Sequence, residues 1–114
     1  MALAPKYRLK GNPDLKRVFK DGRTVSHGFF FIKFLKNQLK HGRAAVTVSR
    51  AVSTKAVVRN KIKRLIYGLL ETTSFFTRPL DLVISISPIM VDKSFQEIKS
   101  EFNKATKPIF SQLK

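Results

Sequence analysis

Ala44-Ala45-Val46-Thr47-Val48-Ser49-Arg50, followed after a short polar link by Lys55-Ala56-Val57-Val58-Arg59-Asn60-Lys61-Ile62-Lys63-Arg64-Leu65-Ile66, decides the fold. The first run alternates small and β-branched residues and reads as a strand over 44–49. The second reads as a helix over about 55–73, because Val58, Ile62, Leu65, Ile66, Leu69 and Leu70 fall on one stripe at the helical period. Arg59, Asn60, Lys63, Arg64 and Tyr67 fall on the opposite side, and Gly68 is a mild blemish within the helix.

Upstream, Phe29-Phe30-Phe31-Ile32-Lys33-Phe34-Leu35 is strand-like. Alternation puts Phe29, Phe31, Lys33 and Leu35 on one face and Phe30, Ile32 and Phe34 on the other. Both faces are apolar at its start, which predicts a central strand. The 44–49 run is its expected antiparallel partner across a polar loop at 37–42, and a short strand at about 24–26 precedes both. Asn12-Pro13-Asp14 starts a helix, with Asn as N-cap, Pro in the first turn and Asp at the positive end of the dipole. That helix carries Leu15, Val18 and Phe19 on one face and stops at Asp21-Gly22. Residues 1–11 are basic and aperiodic and read as a flexible arm.

Downstream, Leu80-Asp81-Leu82-Val83-Ile84-Ser85-Ile86-Ser87 is a buried type of strand closed by Pro88. Residues 92–94 offer caps for a last helix with Phe95, Ile98, Phe102, Ala105 and Ile109 inside, which Pro108 should kink or fray. The order is helix, two or three strands, helix, strand, helix. It predicts a single α+β domain over 1–114, a sandwich with a mainly antiparallel four-stranded sheet.

Composition narrows the function. The 114 residues contain 23 Lys and Arg against 7 Asp and Glu, a net charge of +16. Seventeen of those cations lie in residues 1–64, against Asp14 and Asp21 alone, so that half carries +15. Such a surface repels itself unless a polyanion neutralises it, and nucleic acid is the usual one. There is no Cys, which excludes thiolate metal sites and Cys nucleophiles. Two His and seven scattered carboxylates share no motif, so we expect no catalytic residue and no metal site on the protein. The longest apolar run is broken by Lys33, and the first residues lack the pattern of a secretory signal. A cytoplasmic protein with no membrane partner is expected.

The helix at 59–64 places four cations and one amide within six residues. Arg59 and Lys63, like Asn60 and Arg64, are four apart and share a face. Cations crowded near a helix start are unfavourable, and a row of phosphates would offset that penalty. Arg grips phosphate with a planar fork, while Asn can both donate and accept towards sugar or base. A solvated helix face is the alternative, set against the lack of acids within the segment.

With those residues in view, the sequence resembles the protein component of bacterial ribonuclease P. The resemblance covers nearly the whole chain: Arg8-Leu9, then Leu15-Lys16-Arg17-Val18-Phe19, the strand 45–50, Arg59-Asn60-Lys61-Ile62-Lys63-Arg64-Leu65, and Asp81-Leu82-Val83-Ile84. The family's signature is Arg-Asn-Arg, any residue, Lys-Arg, and this chain has Lys61 at its third position. The resemblance implies a protein cofactor for a ribozyme, whose RNA subunit cleaves precursor tRNA to release the 5′ leader. It implies Mg²⁺ carried with the RNA subunit and none bound by the protein alone; the high net charge favours a monomer in the absence of RNA. It also implies a left-handed strand–helix–strand crossover, as in the second domain of a small-subunit ribosomal protein.

Carried over by position, the RNA-subunit contacts are Arg50, Arg59, Asn60, Lys61, Lys63 and Arg64. The leader contacts are Leu15, Phe19, Phe31 and Lys33, bordered by Lys63 and Tyr67. Leu15, Lys33, Ala51 and Tyr67 depart from residues common in the family. Each position has a plainer reading. Phe19 and Phe31 can be core, and Leu15 can staple the helix to the sheet. Lys33, inside an aromatic strand, must reach either solvent or a phosphate. His27 and His41 read as loop residues, and Asp21, Asp81 and Asp92 as turn or cap residues. Two other functions remain open: a non-catalytic RNA-binding protein of ribosomal type, and an autonomous nuclease, which the scattered carboxylates disfavour.

Overall fold

A computed structural model describes residues 5–9 and 11–112. They form helices α1 (Asn12–Asp21), α2 (Ala56–Leu70) and α3 (Phe95–Gln112), and strands β1 (Arg23–His27), β2 (Phe30–Lys36), β3 (Arg43–Thr47) and β4 (Leu80–Ile86). The strands make one mixed sheet in the order β1-β2-β4-β3. β1 pairs antiparallel with β2, β2 antiparallel with β4, and β3 parallel with β4. No described helix is long and apolar enough to cross a membrane.

The aromatic strand β2 is interior, as expected, but β3 does not pair with it. β4 lies between them, with six of its seven residues buried. A strand that is apolar on both faces gains most from a central place covered on both sides. β3 then joins β4 in parallel, which requires a crossover connection, and α2 supplies it.

Alternation splits the sheet into two faces. Phe30, Ile32 and Phe34 of β2 and Leu82, Ile84 and Ile86 of β4 share the main core with Ile66, Leu69 and Leu70 of α2 and with Ile98, Phe102 and Ile109 of α3. Burying one such side chain is worth roughly 1.5–3 kcal/mol. The opposite face is covered in part by α1, where Val18 and Leu15 pack on Val83, Leu35 and Ala45.

Three local expectations are corrected. The N-cap of α1 is Gly11, not Asn12: Gly11 sits at φ 90°, and its carbonyl accepts from the Leu15 N–H at 3.2 Å. The basic arm is docked where it is described. Leu9 is buried with Val18 and Val83, and its N–H donates to the Ala44 carbonyl at 2.9 Å, while Tyr7 packs edge-on against His41 and Phe76. β3 is an edge strand, so its free backbone groups can hold the arm. Residues 1–4 and 10 of the expected arm lie outside the described residues. Third, α3 runs through Pro108 to Gln112, because Ala105 and Ile109 are fully buried and packing holds the last turn. Its start is a capping box: the Glu97 N–H donates to Ser94 Oγ and the Ser94 N–H to Glu97 Oε1, both at 3.2 Å.

Candidate nucleic-acid interface

On the α1 side of the sheet, register builds rows across the strands. Ser26, Phe31, Ser85 and Thr47 face one another in one row, and Thr24, Lys33, Val83 and Ala45 in the next. α1 packs on Val83, Ala45 and Leu35, and the Phe31 row stays open. Phe31 is 45% exposed and Phe19, on α1, 48%. The alternative of Phe31 as core is therefore overturned: alternation separated it from Phe30, and the buried face belongs to Phe30. Thr47 Oγ1 and Ser85 Oγ lie 2.9 Å apart in the same row, so two hydroxyls border the ring.

Lys33 links the helix to the sheet. Its ammonium donates to the Phe19 carbonyl at 3.2 Å and stands 6.0 Å from the Phe19 ring centre. That carbonyl belongs to the last turn of α1, where the dipole favours a cation. Phe19, Lys33 and Phe31 thus lie beside one another on an open surface, and Leu15 packs beneath α1 as a staple. Tyr67 does not face away from the α2 stripe as periodicity suggested. It packs against the main cluster, on the sheet face away from α1, and Lys63 is half-buried.

The angle of α1 over the sheet is fixed by a buried carboxylate. Asp81 is fully buried in β4 and is not the turn or cap residue expected from the sequence. Its Oδ1 accepts from Asn37 Nδ2 at 2.9 Å and Arg43 Nε at 2.9 Å. Its Oδ2 accepts from Arg43 Nη2 at 2.8 Å and Arg17 Nη2 at 2.9 Å. Arg43 Nη1 also donates to Asp14 Oδ2 at 3.2 Å. Asp14 and Arg17 are on α1, so two charges of that helix are tied to β3 and β4. The hydrogen bonds that the Arg43 guanidinium donates to Asp81 raise its pKa above its ordinary value. A carboxylate in an otherwise apolar strand was the available signal, since a buried charge requires a partner.

The second surface is α2. Asn60, Lys61 and Arg64 are exposed, as is Arg50 on the loop before the helix, while Arg59 and Lys63 are half-buried. Arg59 Nη1 folds back to donate to the Ser53 carbonyl at 2.9 Å, leaving its other donors for an external acceptor. No acid lies in the first turn of α2, and no side chain caps it. Among the described residues, no ion pair involves any of these six side chains. The cations of α2 are thus not neutralised by the described acids.

Four of the acids are engaged elsewhere. Asp81 and Asp14 hold arginines, Glu97 caps α3, and Glu101 meets His27 Nε2 at 3.1 Å. His41 Nδ1 sits 3.2 Å from the Gly42 carbonyl. Among the described residues, no group of three or more His, Asp or Glu could hold a metal ion.

Fold and surface together define a small basic α+β protein with one helix of unneutralised cations and an aromatic patch between a helix and a sheet. The family model described as Ribonuclease P matches residues 3–109. The Ribonuclease P protein component of Caldanaerobacter subterraneus subsp. tengcongensis is 29% identical over 108 residues, covering 92% of each chain. That of Lactobacillus delbrueckii subsp. bulgaricus is 33% identical over 95 residues, 82% of this chain and 78% of its own. The solved RNase P protein of Staphylococcus aureus superposes with a TM-score of 0.82 at 26% identity, covering 94% of this chain and 96% of that one. The chain belongs to the ribonuclease P protein component family, and so is part of an endoribonuclease complex.

Proposed function

We propose that this chain is the subunit through which ribonuclease P RNA holds precursor tRNA for removal of its 5′ leader. The observation that carries the reading is the exposed, acid-free cation face of α2 in a member of this family. Arg50, Arg59, Asn60, Lys61, Lys63 and Arg64 bind the RNA subunit. The guanidinium forks take phosphate oxygens in pairs, the lysines act as point charges, and Asn60 reads sugar or base. The leader lies in the open groove beside α1, with bases against Phe19 and Phe31 and a phosphate near Lys33. Leu15 supports α1 there, while Tyr67, packed against the main cluster on the other face of the sheet, does not border this groove. Stacking on a ring contributes about 1–3 kcal/mol per base.

Asp14, Asp81, Glu97 and Glu101 are engaged within the fold, and in this reading phosphodiester hydrolysis is the work of the RNA subunit and of Mg²⁺ ions that enter with it. By neutralising phosphates, the protein lets two polyanions lie side by side at a Mg²⁺ level where they would otherwise repel. The subunit works in the cytoplasm, as a monomer before RNA binds. The test is cleavage of precursor tRNA by the RNA subunit at low Mg²⁺, with and without this chain. A large rise in kcat/KM is expected, and equal rates would refute the proposal.

A further inference from the structure

A groove of about 300 Å³ opens between α2 and α3, away from the α1 side of the sheet. Its floor is Gly68. Glycine in a helix interior is less stable than alanine, and here the chain gains nothing visible for it: φ is not positive, and a Cβ would meet no atom within 4 Å. Neither backbone conformation nor internal packing asks for glycine at this position. What it leaves is backbone open to close approach by another molecule.

The walls say what kind of molecule. Phe95, at the start of α3, is 51% exposed and lines the groove. Arg64 and Lys99 also line it, both exposed, and among the described residues neither has an ion-pair partner. No acid lines it. An aromatic ring with two free cations and no carboxylate suits an anion with a flat apolar part. A second copy of a chain with net charge +16 is repelled from such a place. Continuity then selects nucleic acid over an acidic protein: Asn60, Arg64 and Gly68 are each four apart on α2, so the groove prolongs one stripe of the signature helix.

We infer that the α2–α3 groove takes an unpaired nucleotide of the ribonuclease P RNA subunit, its base on Phe95 and its phosphate between Arg64 and Lys99, over the bare backbone at Gly68. This rests on the reading that α2 binds that RNA. It extends the protein's contact from α2 onto α3.

The test titrates the full chain against its own ribonuclease P RNA, transcribed in vitro. Phe95→Ala weakens binding by about 5- to 150-fold, the range for losing one stacked base. Gly68→Leu fills the groove and weakens binding by a similar factor, while its thermal midpoint stays level or rises because leucine is the better helix former. Lys61→Ala, outside the groove, reports on the signature helix alone. If Lys61→Ala weakens binding and the two groove variants do not, the groove inference is wrong and the α2 reading survives. If Lys61→Ala is silent too, that reading falls with it. A benzophenone side chain at position 95 gives a readout independent of affinity. It should crosslink to the RNA, and failure to do so, or a crosslink to protein instead, overturns the inference.

Discussion

Replacing Asp81 with Asn keeps the shape of the side chain and removes its charge. The wild-type carboxylate accepts four hydrogen bonds, two of them from Arg43. Asn offers one acceptor and turns an NH₂ group towards guanidinium donors. Arg17, with its side chain 39% exposed, can turn to water, so its lost pair costs roughly 0–1 kcal/mol. Arg43, at 18%, has less freedom and keeps only Asp14. Removing one partner of a buried pair costs about 3–5 kcal/mol. With Asp14 still compensating part of the charge, the lower end applies, about 3 kcal/mol. With a urea m-value of about 2 kcal/mol/M, the unfolding midpoint falls by about 1.5 M. The Arg43 pKa is raised, so its contribution is complete below the ordinary arginine range and is lost only as pH rises through the raised value. The deficit of the variant should therefore hold steady between about pH 6 and 9. Arg43→Met in the Asp81→Asn background should cost less than Arg43→Met alone, since the two act as one unit. A loss under about 1 kcal/mol, or additive costs, would refute the claim that this network fixes α1.

Further outcomes follow from the same geometry. The Ser94 amide resonance should titrate with Glu97 at a midpoint below the ordinary 4.5, because two hydrogen bonds from Ser94 hold the carboxylate down. The α3 cap is then intact above pH 4.5 and lost as pH falls through the lowered value, and Ser94→Ala moves the midpoint part of the way back. Phe19→Ala with Phe31→Ala should cost little stability, since both rings are about half exposed, yet weaken precursor tRNA more than mature tRNA by about 1–3 kcal/mol per lost stack. Equal losses for both tRNAs would mark the rings as packing only. Leu9→Ala should lower stability by about 2–4 kcal/mol in a thermal melt if the segment before α1 is part of the fold, and by almost nothing if it is a loose arm.

Much of this architecture is written in local periodicity. The stripe of α2 at Ile62, Ile66 and Leu69, the buried run of β4 and the capping residues before α3 each rest on neighbours a few positions apart, and each is found. Pairing is different. Nothing within residues 44–49 says whether their partner is the preceding strand or a later one, because the choice belongs to β4, far downstream. Asp81 was misread for the same reason: its partners Arg17, Asn37 and Arg43 lie 64, 44 and 38 positions away. Alternation placed Phe30 and Phe31 on opposite faces without saying which face the helices α2 and α3 would cover. The signature on α2 was the most legible part of the candidate interface, since exposed charge on a helix is set by spacing alone.

The most direct test of the account is the salt dependence of binding to the RNA subunit. If Lys61 and Arg64 each neutralise a phosphate, the double variant Lys61→Ala, Arg64→Ala should bind more weakly at low salt. Its log–log slope against salt should be shallower by about 1.4–1.8, or roughly 0.7–0.9 per lost contact. A slope identical to that of the unaltered chain would mean that the exposed cations of α2 do not touch the RNA.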